Sequence, residues 1–314
     1  KLRYCDNIIE TYPNERIFYL MESKTFTGKE IVLYARSISP SLANKERRVA
    51  QFIANNYEVL AESTISDVAE HLKISEATIT KVCKKLQCSG YLQLKKSIKA
   101  YIENTHKSES YEEYSDFRKE DSNTLIAEKV LINAMLALQE TLDIFNYDAF
   151  NKACEIFNNK NRNNKIILVG SGGSSVICED FQHKLLKIGI VSHVYKDSHM
   201  QLMFTSLIDE GDIVLGVSHS GTTQHIVNVI KAAKDRGAHT ISVTNYMNSE
   251  ITKVAEVNLV STAQNTPITG ENAAARIVQL TILDALYTNL AIKGSEEYSE
   301  SLIKTSDVVK DYRY

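Results

Sequence analysis

Asp212-Ile-Val-Leu-Gly-Val-Ser-His-Ser-Gly-Thr-Thr223 is the stretch on which the reading of the fold turns. After the opening aspartate, residues 213–217 are apolar and short, the pattern of a strand buried on both faces. Past the polar run, Ile226, Val229, Ile230 and Ala233 recur at helical spacing. Strand, hydroxyl-rich turn and helix make one βα unit. Ser218, Ser220, Thr222 and Thr223 place four hydroxyls around Gly221 at the start of that helix. Backbone N–H groups and the helix dipole favour an anion there, and short donors on every side suit a phosphate. A helix cap alone explains Ser220 or Thr222, but not all four hydroxyls. None of the six loop residues is cationic, which argues against a site for a nucleotide and its metal.

The same grammar repeats on both sides. Lys165-Ile-Ile-Leu-Val169 is a second apolar strand, running into Gly170-Ser-Gly-Gly-Ser-Ser175 and a helical stretch that ends near Lys187. That glycine-rich turn on its own fits an anion site, a nucleotide site or a bare tight turn. A dinucleotide site is disfavoured, because Ser174 stands in the helix start and Val191-Ser-His-Val-Tyr195 is followed by Lys196 instead of an acid. His239-Thr-Ile-Ser-Val-Thr-Asn245 supplies a further strand, so a five-stranded, doubly wound parallel sheet is expected. Glycine marks where this α/β half begins. Only Gly28 and Gly90 precede residue 170, and the other ten lie between Gly170 and Gly294. The first half lacks the tight turns that strand-to-helix units need and is predicted to be all-α.

Within that half, Ser39-Pro40-Ser41 signals a helix start, and Leu42, Val49, Phe52, Ile53 and Tyr57 follow with helical spacing. Thr64 with Asp67 predicts a capping box for a second helix whose stripe is Ile65, Val68, Ala69 and Leu72. Ser75 then caps a third helix, with Ile79, Val82, Cys83 and Leu86 inward. Its other face carries Glu76, Thr78, Thr80, Lys81, Lys84 and Lys85. Two short helices joined by a tight turn, the second polar at its start and basic behind, follow helix-turn-helix logic. The start of such a helix reaches base edges while its lysines meet phosphates. The same pattern also fits a helical packing unit with a solvated lysine face.

Charge divides the chain in the same place. Residues 36–100 hold 11 Lys and Arg against 6 Asp and Glu, a balance of +5 that leaves −8 for the rest of a chain whose net charge is −3. A basic module on an acidic body suits a polyanionic partner for one part only. Hydrophobic residues at 43% and charged residues at 24% of 314 residues suffice for two cored domains and exclude a disordered chain. No apolar run is long enough to span a membrane, and no opening stretch has the pattern of a secretion signal. Cys5, Cys83, Cys88, Cys154 and Cys178 are scattered, and are expected as reduced thiols of a cytoplasmic protein. Six of the eight histidines fall between His183 and His239 without ligand spacing, so neither a metal nor another cofactor is expected. His199 and Glu271 are candidates to face a sugar, against the plainer readings of a surface histidine and a helix-start acid.

Two resemblances join these halves. Ile65–Ile98 resembles the helix-turn-helix of the RpiR family of bacterial transcription regulators, through Ser75, Ala77, Thr78, Ile79, Lys81, Lys85, Leu86, Gly90 and Tyr91. It departs from the family at Lys81, usually arginine, and at Gln87, usually a glycine closing the helix. Roughly residues 124–290 resemble the SIS (sugar isomerase) domain, through GSGGSS at 170–175, SHSGTT at 218–223, and the segments beginning at Arg276 and Leu283. The resemblance implies that Ser174, Ser218, Ser220 and Thr223, with Gly221 and Thr222 in the same loop, hold the phosphate of a phosphosugar. It implies DNA contact by Ser75, Glu76, Thr78, Thr80, Lys81, Lys84 and Lys85.

The organisation expected is an extension of unassigned role (1–35), a helix-turn-helix domain (36–104), a polar linker (105–123) and an SIS domain (124–314). The function expected is a DNA-binding regulator, a repressor of a sugar or amino-sugar operon, acting as a homo-oligomer on double-stranded DNA and answering to a phosphosugar effector. The absence of charge in the loops suggests one phosphate with neutral hydroxyl or acetamido groups, as in an amino-sugar 6-phosphate. The alternative is an aldose–ketose phosphate isomerase, for which Glu271, His199 and His225 are the candidate acid–base groups. An isomerase has no need of residues 36–104, and that addition favours the regulator.

Overall fold

The computed structural model describes residues 26–105, 117–161, 163–263 and 273–310. The C-terminal half is built on five parallel strands, β1 (Ile166–Gly170), β2 (His193–Tyr195), β3 (Ile213–Val217), β4 (His239–Thr244) and β5 (Val257–Val260), in the order β2-β1-β3-β4-β5. Every residue of β1 and β3 is buried, as two-sided packing demands of central parallel strands. One face carries Ile166, Leu168, Ile213, Leu215, Ile241 and Leu259 against helices 147–158, 173–187 and 273–293. The other face carries Ile167, Val169 and Val214 against Ile226, Val229, Ile230 and Ala233 of helix 224–235 and Ile251 of helix 250–254. The expected doubly wound sheet is present, with β1 and β3 at the point where the strand order reverses.

The helical half comprises α1 (Gly28–Ile38), a 3₁₀ turn (Ser39–Ser41), α2 (Asn44–Asn55), α3 (Tyr57–Glu62), α4 (Ile65–Leu72), α5 (Glu76–Lys85) and α6 (Tyr91–Thr105). Val49, Ile53, Val68, Ile79, Val82, Leu86, Leu94 and Ile98 share one buried cluster with Ile31 and Ile38 of α1. The expected boundary at residue 36 therefore falls inside a helix, whose start is closed by a capping box between Thr27 and Glu30. Gly28 allows α1 to lie on α6, since a Cβ there would stand 2.2 Å from the Ser97 carbonyl oxygen. Ser39-Pro40 opens a 3₁₀ turn, and the helix it announced begins at Asn44.

From the described end of the linker, α7 (Asn123–Ile144) begins at Ser122, whose Oγ accepts the Leu125 N–H. Lys129 is buried on α7 and ion-paired to Asp121 at 2.8 Å. The remaining helices are α8 (Tyr147–Asn158), α9 (Gly173–Lys187), α10 (Ser198–Thr205), α11 (Gln224–Asp235), α12 (Glu250–Val254), α13 (Ala273–Lys293) and α14 (Glu296–Lys310). Among the described residues no helix is long and apolar enough to cross a membrane. α7 packs along α13 and touches α1, so the helical half meets the sheet half through α1.

Candidate functional site

The two loops that the sequence singled out leave adjacent strands. Gly170 of β1 pairs with Val217 of β3, and the chain then turns to α9 on one face and α11 on the other. A crevice at the carboxyl ends of strands, where the order reverses, is the general ligand position of open α/β sheets.

The second loop is tied down from behind. Ser218 N–H donates to the Val243 carbonyl at 3.0 Å, Asn245 N–H donates to the His219 carbonyl at 3.0 Å, and Ile251 N–H donates to the Gly221 carbonyl at 2.9 Å. Gly221 has φ +63°, and a Cβ on it would stand 2.1 Å from Ser249 Oγ, so no other residue fits this corner unchanged. Ser218 is buried; its hydroxyl donates to Thr223 Oγ1 at 3.1 Å and accepts the Gly221 N–H at 3.1 Å. Ser220 Oγ accepts from the backbone N–H and the hydroxyl of Thr222, at 3.3 and 3.1 Å. Thr223 is the N-cap residue of α11, yet its side chain does not cap the helix. The hydroxyls thus form two bonded pairs, Ser218 with Thr223 and Ser220 with Thr222, beside the uncapped first turn of α11, where N–H groups lack intrahelical acceptors.

The first loop is also close-packed at Gly170. A Cβ on Gly170 would lie 2.7 Å from the Ser174 carbonyl group, and Gly172, at φ +55°, is the N-cap residue of α9. Ser174 and Ser175 are buried there, with Ser175 Oγ donating to the Gly172 carbonyl at 2.8 Å. Two further residues, which the sequence reading missed, complete this side. Gln201 is buried on α10, and its amide donates to the carbonyls of Gly170 (3.2 Å) and Tyr195 (2.6 Å), clamping α10 beneath the loop. Arg276, in the first turn of α13, lays its guanidinium against Gly173, where a Cβ would meet Nε at 3.0 Å. The two loops themselves hold no lysine or arginine, as the sequence shows, and the guanidinium beside Gly173 comes from a helix about a hundred residues further along the chain. His199 is exposed on α10, and Glu271 lies outside the described residues.

The reading head is equally defined. Thr64 N–H donates to Asp67 Oδ2 at 2.7 Å and Asp67 N–H donates to Thr64 Oγ1 at 3.2 Å, the expected capping box of α4. These bonds, the backbone one first, hold the Asp67 carboxyl below its ordinary range. The corner between α4 and α5 turns on Lys73 in the left-handed region (φ +51°). Ser75 stands at the N-cap of α5, but its hydroxyl shares a 2.9 Å hydrogen bond with that of Thr78 in place of capping the backbone. Glu76 accepts from Ser66 Oγ at 2.7 Å, fastening α5 to α4. Lys81 and Lys85 each lie 2.7 Å from the Glu46 carboxylate on α2. Lys84 is exposed and has no partner among the described residues, while Thr78 and Thr80 are half-buried. Gln87, in the family's glycine position, nevertheless takes φ +60° and closes α5, Cys88 N–H donating back to the Cys83 carbonyl at 2.9 Å.

Comparison with known proteins covers both halves. A family model described as the helix-turn-helix domain of the rpiR family matches residues 30–105, and the SIS domain model matches residues 161–289. The HTH-type transcriptional regulator RpiR of Escherichia coli K12 is 34% identical over 282 residues, 90% of this chain and 93% of that protein. An uncharacterized HTH-type transcriptional regulator of Caldanaerobacter subterraneus is 30% identical over 89% of this chain and 97% of its own length. Among solved structures, the Vibrio vulnificus NanR protein complexed with ManNAc-6P shares the fold at a TM-score of 0.57 and 24% identity, over 90% of this chain and 99% of that one. The sugar isomerase domain of an RpiR transcription factor from Sphaerobacter thermophilus aligns over 58% of this chain and 98% of its own, with TM-score 0.53 and 20% identity.

Proposed function

The chain belongs to the rpiR family of helix-turn-helix transcriptional regulators, and from that premise we propose that it binds an operator duplex through α5 and a phosphosugar at the Ser218–Thr223 loop. The protein acts in the cytoplasm as a homo-oligomer, because one recognition helix reads few base pairs and two heads read a palindrome. It is a repressor of sugar or amino-sugar catabolism, released when the phosphosugar accumulates. The isomerase alternative gives way to the regulator, since the relatives that match almost end to end carry the same reading head and are named regulators.

Ser218, Ser220, Thr222 and Thr223 surround the phosphate with hydroxyls and the first-turn amides of α11, with Ser174 across the crevice. Arg276 adds a cation on the α9 side. The observation that carries the reading is the short physical route from this loop to the head. The Gly221 carbonyl accepts from Ile251, Ser249 fills the space beside Gly221, and two residues earlier the Met247 N–H donates to Ser37 Oγ on α1. A ligand that favours one placement of the loop also favours one placement of α1. It shifts the equilibrium only by its difference in affinity for the two placements.

A thermal-shift screen of pentose, hexose and amino-sugar phosphates, with ManNAc-6P among them, tests the ligand half. A true effector raises the unfolding midpoint in proportion to the logarithm of its concentration. The unphosphorylated sugar leaves the midpoint unmoved. A flat response to every phosphosugar would remove the effector from the account.

A further inference from the structure

In the reading head we propose that Glu46 acts as a charge clamp, withholding two of the three lysines of α5 from the DNA backbone so that binding depends on fit to the sequence more than on bulk attraction. The inference rests on the reading that α5 is presented to a duplex. Glu46 lies in the first turn of α2, with its side chain only 10% exposed, and its two carboxylate oxygens each take one ammonium, Lys81 on Oε1 and Lys85 on Oε2. The lysines are four residues apart, one helical turn, so both reach back to the same point on α2. The trio carries one net positive charge where the lysines alone would carry two.

The other cations of the head are distributed by the same economy. Arg47 donates to the Pro40 carbonyl at 2.9 Å, Arg48 to the Leu72 carbonyl at 2.7 Å, Lys95 to the Ser63 carbonyl at 2.8 Å, and Lys99 pairs with Glu62 at 3.0 Å. Arg36 pairs with Glu140 of the body at 2.7 Å. Among the described residues the head's cations without such a partner are Lys45, Lys73, Lys84 and Lys96. Two of these belong to the motif itself: Lys73 at the corner and Lys84 on α5. A composition reading of +5 for residues 36–100 therefore overstates the charge that is free to displace counterions.

Each phosphate contact steepens the fall of log affinity with log salt by about 0.9 on duplex DNA. Glu46→Gln keeps the shape of the side chain and frees both ammoniums, so binding to a random-sequence duplex should strengthen and its salt slope steepen by about 0.9 for each lysine released. The preference for a selected duplex over the random one should shrink. In a Lys81→Gln/Lys85→Gln background the same Glu46→Gln change should no longer steepen the slope, which separates the clamp from a general loss of negative charge. An unchanged slope for Glu46→Gln, or equal steepening in both backgrounds, overturns the clamp. Nuclear magnetic resonance titration of the Glu46 carboxyl in the unliganded protein gives a readout without DNA. The proposal requires a midpoint below the ordinary 4.5 that rises when both lysines are replaced, and a midpoint indifferent to them rejects it. A wild-type chain that bound no duplex would defeat the DNA reading, and the carboxyl titration would still decide the clamp.

Discussion

The backbone N–H of Met247 donates to Ser37 Oγ at 2.9 Å, joining the segment behind the Ser218–Thr223 loop to the last turn of α1 across 210 residues of sequence. Ser37 is buried, and ion pairs from Arg36 to Glu140 and from Lys29 to Asp143 lie along the same helix junction with α7. Ser37→Ala leaves the Met247 amide without this acceptor, at a cost of about 1 kcal/mol. The expected outcome is selective. Phosphosugar affinity and DNA affinity each survive, but the change in one caused by the other falls. Calorimetry of the sugar with and without duplex measures that difference.

Ser220→Ala should separate binding from folding. Ser220 is half-buried and, among the described residues, its hydroxyl bonds only within the loop, to Thr222, so its loss spares the core. The phosphosugar shift in melting temperature should be strongly reduced while the ligand-free duplex affinity stays as in wild type. Gly221→Ala should do the opposite. It forces a Cβ to 2.1 Å from Ser249 Oγ at φ +63°, and strain of this kind costs on the order of 1–3 kcal/mol, visible as a lower melting temperature without any ligand.

Acid should weaken the head through Glu46. Hydrogen bonds from Lys81 and then Lys85 hold its carboxyl below the ordinary 4.5, against the opposing effect of burial. A carboxyl with a depressed folded pKa stabilises above its unfolded value, and that contribution is lost as pH falls through the folded value. The stability difference between wild type and Lys81→Gln/Lys85→Gln should therefore be full at neutral pH and shrink below about pH 4.5, as melting curves at several pH values would record.

Lys73 and Gln87 occupy left-handed backbone at φ +51° and +60°. Replacing either by glycine relieves the Cβ contact but gives the unfolded chain more entropy to lose on folding, for a net gain of about 0.5–1 kcal/mol in denaturant unfolding.

How much of this was legible in sequence varies with how local the cause is. The two turns at 170–175 and 218–223 were readable because glycine and hydroxyl chemistry is written at the turn itself. The inward residues of α5 were readable because one face is buried and the other is not. α1 went unassigned although Ile31, Tyr34, Ala35 and Ile38 stand at helical spacing, because Leu33 adds a buried apolar residue off that stripe, where the helix packs on α2, α6 and α7. Its capping pair, Thr27 and Glu30, was a second signal. Arg276, Gln201 and Glu46 could not be assigned from spacing, since each acts on an element far away along the chain. Burial also decides the cysteines. It pushes the Cys83 and Cys178 thiols up to about 12 and those of Cys88 and Cys154 up to about 11, so these are packing residues.

One titration bears most directly on the central claim that a phosphate held at the Ser218–Thr223 loop is felt by the α5 head. A fluorescent duplex, enriched from random sequence by the protein itself, is bound to saturation and titrated with the phosphosugar that gave the largest thermal shift. Duplex affinity should fall by between about 5-fold and 150-fold, the usual span of coupling between two sites. Ser220→Ala should abolish the fall. Duplex affinity that stayed constant while the sugar demonstrably occupied its loop would contradict the account.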